Sequence, residues 1–230
     1  AALSSIRLMT LVDAGERGYV PTDPEIASAL SQPFSPSVFC STLGEMMYKQ
    51  QTVHPELHVP AVLLALLDSV REAGGLRAEG LFQVPAPPNA LEEIIEELCV
   101  ADPRGIVARG PYCAADLLKA WLRQLALPVI APNLYDACLG AVALDLDGMS
   151  EVLKRLQPVN LQVLLEVTRF LAEVAFAPKT KMSPAALGAA IAPCLMQTPQ
   201  FKSSASLQQA VDAQAAFCTK LIEGHLNDIR

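Results

Sequence analysis

Lys119 and Arg123 stand four residues apart in Asp116-Leu-Leu-Lys-Ala-Trp-Leu-Arg-Gln-Leu-Ala-Leu-Pro-Val-Ile130, one helical turn from each other. Like charges at that spacing cost an isolated helix a few tenths of a kcal/mol. A pair kept at that cost is either a solvated face, its commonest meaning, or is aimed at something acidic inside the fold or on a partner. Other chemistry-bearing residues are sparse. The six cysteines (40, 99, 113, 138, 194 and 218) include no Cys-x-x-Cys and fall mostly on apolar faces, which reads as buried thiols in a reducing compartment. His54, His58 and His225 have no cysteine or carboxylate at ligand spacing, so no metal site is expected. No Ser-His-Asp or Cys-His arrangement is found. Gly74-Gly75 stops a helix rather than cradling a phosphate, and nothing resembles Gly-x-x-x-x-Gly-Lys-Ser. Bound nucleotide and cofactors are not expected.

The elements that position the two cations are helical. Leu117, Leu118, Trp121, Leu122 and Leu125 recur at three- and four-residue steps, which predicts a central helix over 112–125, stopped by Pro128. Residues 3–12 and 23–32 read as short helices, and 1–33 as an extension to the main domain, 34–230. Thr42 and Glu45 form a capping box for a helix to residue 49. Pro60 opens an apolar helix that ends at Gly74. Residues 76–88, with one glycine and three prolines, read as an exposed loop. Asn89 caps a helix over 90–99, and further helices are expected over 132–143, 149–156, 160–175 with Asn160 as cap, 183–193 and 207–226. No alternating apolar stretch calls for a sheet. The expected fold class is all-α, a bundle of about nine helices with a short helical N-terminal extension.

With 230 residues, the chain can bury a sizeable core. It is 52 % hydrophobic, with a mean hydropathy of +0.33. Its longest uncharged stretch, 182–201, is interrupted by Pro184, Pro193 and Pro199, so it is core rather than a membrane span. A net charge of −7 argues against nucleic acid or an anionic membrane as main partner. There is no signal peptide, and a start at Ala1-Ala2 without an initiator Met suggests a fragment of a longer protein.

Leu117-Leu-Lys-x-Trp-Leu-Arg-Gln-Leu-x-Leu-Pro-Val-Ile130 resembles the Leu-Leu-Lys-x-x-x-Arg-x-Leu-Pro-x-Pro-Leu-Ile signature of RhoGAP domains, the GTPase-activating modules of Rho-family G proteins. Three more stretches match in order. Gly80-Leu-Phe-Gln-Val-Pro85 stands where that family has Gly-Ile-Phe-Arg-x-x-Gly, Leu134-Tyr135 matches a Leu-Tyr or Phe-Tyr pair, and Ala192-Pro193-Cys-Leu195 matches Ala-Pro-x-Leu. Residues 34–47 and Thr180-Lys-Met182 resemble the junction of Vilse-type (CrossGAP) proteins, where a MyTH4 module runs into RhoGAP, so 1–33 would be the tail of such a module.

The resemblance implies a Rho-family or related small GTPase as partner, other proteins of a larger assembly, and a cytoplasmic, cytoskeleton-associated setting. It implies that Lys119 and Arg123 meet the GTPase and steady the loop at Gly80, Phe82 and Pro85. A domain of this kind places a guanidinium against the charge developing on the transferred phosphoryl group, worth roughly 10³ to 10⁵ in rate, or about 4 to 7 kcal/mol. Two positions depart from the pattern. The finger arginine is Gln83, which donates a hydrogen bond but carries no charge, and the family's asparagine seven residues before Pro193 is Ala186. Pro85-Ala-Pro-Pro88 also replaces a glycine-containing turn and stiffens the loop. These departures imply a module that binds a GTPase through Gln83, Lys119, Arg123 and the Ala186 region without accelerating hydrolysis. An active domain using Arg77 or Arg109, and a scaffold that meets no GTPase, are the alternatives.

Overall fold

The computed structural model describes residues 39–100, 109–144, 146–199 and 204–229. The extension expected over 1–33, the boundary at 34 and residues 34–38 of the junction-like stretch lie outside the described residues. Nine α-helices are described: α1 Leu43–Gln50, α2 Ala61–Glu72, α3 Pro88–Val100, α4 Pro111–Arg123, α5 Tyr135–Gly140, α6 Leu146–Leu153, α7 Pro158–Phe176, α8 Pro184–Leu195 and α9 Ser204–Ile229. Short 3-10 turns at Gly75–Arg77, Pro132–Leu134 and Ala141–Ala143 join some of them. Among the described residues the one β-type pairing is an isolated parallel bridge, Ile130 to Met196. The all-helical expectation holds.

Local signals account for several helix starts. The Thr42 hydroxyl accepts the Glu45 amide at 3.1 Å while Glu45 Oε2 accepts the Thr42 amide at 2.6 Å, the expected capping box. Ser183 caps α8 through the Ala186 amide, with Pro184 in its first turn. Two expected caps are different. Helix α7 begins at Pro158, not after Asn160, because the Asn160 amide is drawn to the Val129 carbonyl, 2.8 Å away, and fastens α7 to the segment after α4. Helix α3 likewise starts at Pro88 and takes Asn89 into its first turn. In both cases proline in the first helical turn was the better signal.

Trp121 of α4, Phe170 of α7 and Phe217 of α9 are the largest fully buried side chains. Alanine-rich α8 lies so close to α9 that a Cβ on Gly188 would strike Thr219 Oγ1 and come within 2.8 Å of the Ala215 carbonyl oxygen. Cys113, Cys138, Cys194 and Cys218 are buried as expected, whereas Cys40 is exposed on a left-handed backbone (φ 59°). Burial raises the pKa of all four buried thiols, that of Cys138 to about 11. Among the described residues no helix is long and apolar enough to cross a membrane.

Gly188→Ala is expected to lower stability by about 1 to 3 kcal/mol, because backbone atoms of α9 must move to admit the methyl group. A urea unfolding midpoint equal to wild type would contradict the close α8–α9 contact. The thiols predict an alkaline instability. The folded pKa of Cys138 lies above its unfolded value, so its contribution is complete below about pH 8.5 and is lost as pH rises through about 11. Chemical denaturation at pH 8 and 10.5 measures this, and replacing Cys138 with alanine should flatten the difference.

Candidate functional site

The loop between α2 and α3 begins in the 3-10 turn at Gly75–Arg77 and reaches Gly80, whose φ of +70° suits a residue without Cβ. The Gly80 amide donates to the Thr180 carbonyl at 2.8 Å, and the Gly80 carbonyl accepts from Gln83 and Val84 at 2.9 and 3.0 Å, closing a tight turn. That turn divides into a buried half and an exposed half. Leu81 and Phe82 are buried, while Gln83, Val84 and Pro85 face solvent. The stretch read as an exposed loop is therefore anchored by two core residues, a pair of large apolar side chains amid glycine and proline that could have signalled it.

Phe82 has φ +73°, a left-handed backbone that is costly for a side chain of this size. It is held there from below and from the side. Its ring meets Phe170 edge-on with centroids 6.4 Å apart, and the Arg71 guanidinium carbon lies over the Phe170 ring, 4.9 Å from its centroid. Arg71 is in turn fixed by the Glu173 carboxylate, at 2.9 to 3.1 Å, and by Asp68 at 2.8 Å. From the side, Lys119 Nζ donates to the Phe82 carbonyl at 3.1 Å and lies 2.6 Å from Asp116 Oδ1. Asp116 Oδ2 accepts the Ala86 amide at 2.7 Å. Outside these, Tyr112 Oη donates to the Glu79 carbonyl, and Lys181 pairs with Glu79.

Lys119 and Arg123 thus part company. The Lys119 side chain is turned into the fold and only 15 % exposed, and its acidic group is Asp116, one turn earlier on the same helix; the i,i+3 spacing could have revealed it. Arg123 is exposed, and its Nε donates to the Lys119 carbonyl at 3.2 Å. Gln83 lies on the solvent side of the turn. Ala186 is half-buried in the first turn of α8, just after residues 180–181, which bind Gly80 and Glu79. Pro193 is exposed in the last turn of α8, whose end is tied to the segment after α4 by the Ile130 amide on the Leu195 carbonyl.

Of the arginines weighed as replacements for a finger, Arg109 is paired with Glu93 of α3, and Arg77 is exposed at the start of the loop. Arg71, behind the loop, is held by two carboxylates. His54 does have a carboxylate neighbour, Glu56, at 3.4 Å, contrary to expectation, but among the described residues no group of three metal-ligating side chains occurs. What the arrangement offers is a pinned turn displaying an uncharged amide, with Arg123 exposed on the helix that holds it.

The RhoGAP domain model matches residues 60–200, most of this chain. Among similar proteins, mouse Rho GTPase-activating protein 22 is 27 % identical over 92 % of this chain and 34 % of its own length. GTPase activating protein homolog 2 of Dictyostelium discoideum is 28 % identical over 72 % of this chain and 19 % of its own. Human Bargin is 30 % identical over 63 % of this chain and 22 % of its own, so the chain spans only a minor part of such relatives. The crystal structure of human Rho GTPase activating protein 15 superposes with a TM-score of 0.66 at 15 % identity, covering 90 % of this chain and 97 % of that one. The BH domain of the GTPase regulator associated with focal adhesion kinase gives 0.60 at 20 % identity, over 73 % and 96 %.

The strained turn makes an unusual prediction for position 82. Removing the ring should cost about 3 kcal/mol or more by core truncation. Phe82→Gly should nevertheless be at least as stable as Phe82→Ala, because glycine relieves the left-handed backbone. Thermal unfolding of the two variants decides it; alanine more stable by about 1 kcal/mol, the order found in ordinary backbone, would contradict the strain.

Proposed function

From the premise that this chain belongs to the RhoGAP domain family, we propose that it is a GTPase-binding module that engages a Rho-family or related small GTPase without accelerating GTP hydrolysis. Gln83 carries this reading. It occupies the exposed position of a turn pinned on both sides, where the family's motif places an arginine.

The physics of the substitution is direct. Phosphoryl transfer gains from a guanidinium placed where charge develops, and a glutamine amide supplies dipolar hydrogen bonds without the charge. Ala186, half-buried in the first turn of α8, lacks the polar group that the family's pattern has there. Recognition would rest on the Gln83 turn, Arg123 and the start of α8, with Lys119 acting through the loop it holds. Gly80, Phe82, Pro85 and Pro193 give the face its shape. A module of this kind would act by occupancy, shielding the GTP-bound state from active regulators. We place it with the Vilse-type proteins on the strength of the junction-like motifs, as one part of a larger cytoplasmic assembly linked to the cytoskeleton.

Single-turnover hydrolysis with GTP-loaded Rho and Rac proteins tests the reading. Less than about tenfold acceleration is expected, against the roughly 10³ to 10⁵ that an arginine finger supplies. Arg123→Ala should weaken binding to the GTP-loaded form. Acceleration of 10³-fold or more by the unmodified chain would overturn the proposal.

A further inference from the structure

We infer that Asp116 is the positioning residue for the turn that carries Gln83, and that it works by holding the Lys119 ammonium inside the fold. One carboxylate grips two elements. Its Oδ1 lies 2.6 Å from Lys119 Nζ, and its Oδ2 accepts the Ala86 amide at 2.7 Å. Lys119 in turn donates to the Phe82 carbonyl at 3.1 Å. Gln83, Val84 and Pro85 are therefore a three-residue span whose two flanks, Phe82 and Ala86, are fastened to the two members of a single ion pair.

This pair differs from an ordinary surface salt bridge. The Asp116 and Lys119 side chains are 13 % and 15 % exposed, so solvent screens them weakly, and each also makes a charge-assisted bond to backbone. Their i,i+3 spacing on α4 sets both groups on one side of a rigid helix, with little side-chain freedom left to lose. The pair also changes what the surface offers. The Lys119 charge is cancelled within the fold, and Arg123 is the member of the α4 pair that remains exposed. On the proposed binding role, which this part rests on, affinity depends on the order of the turn and on Arg123 rather than on a free lysine.

Hydrogen exchange on the whole chain tests the clamp. In Asp116→Asn, which preserves size and removes the charge, the Gln83, Val84 and Ala86 amides should exchange at least tenfold faster, while amides in the middle of α7 keep their wild-type rates. Lys119→Met should reproduce this, and combining it with Asp116→Asn should add nothing further. Wild-type exchange at these amides in Asp116→Asn, or additive effects in the double variant, would overturn the inference. Binding of the same variants to a GTP-loaded Rho-family protein separates the two readings. A fivefold or greater loss supports both, whereas faster exchange in a domain whose wild type binds none upholds the clamp and refutes the binding role.

Discussion

The left-handed backbone at Phe82, and the buried contacts that keep it there, decide what the turn shows to solvent. A bulky residue does not adopt that conformation unaided. Here the ring is seated against Phe170, the carbonyl is held by Lys119, and the chain on either side is fixed by Thr180 and Asp116. With Phe82 held inward, the chain leaves the core at Gln83, whose amide is exposed.

That constraint joins three helices and a strap. Phe170 and Glu173 come from α7, Arg71 from α2, Asp116 and Lys119 from α4, and the Thr180 carbonyl from the strap leading into α8. The guanidinium of Arg71 lies above the Phe170 ring and is bound to Glu173, so a charge that could have faced outward serves as packing. The same has happened to Lys119. Arg71, Lys119 and Lys181 are thus paired with carboxylates of the fold, whereas Arg77 and Arg123 stay exposed.

Much of this was legible in the sequence. The apolar spacing from Leu117 to Leu125 located the central helix, and the Thr42–Glu45 box located a helix start, because both depend on neighbours within a turn. The motifs located the turn at Gly80 and the residue at its tip. What the sequence hid was tertiary. Asn160 looked like a cap but spends its amide on Val129, thirty-one residues away in the chain. Leu81 and Phe82 looked like loop residues because glycine and proline surround them, yet both enter the core. Lys119 paired by spacing with Arg123, whereas the partner that matters to it is Asp116, three residues before it on the same helix.

The turn pinned by Lys119 and Asp116 exposes an uncharged side chain, Gln83. A domain that supplies charge to the transition state binds a mimic of that state far more tightly than the ground state. The most direct measurement is therefore the ratio of two affinities for one Rho-family protein, loaded with a non-hydrolysable GTP analogue or with GDP and aluminium fluoride. The account predicts measurable binding with a ratio near one. A preference of a hundredfold or more for the aluminium fluoride complex would contradict it.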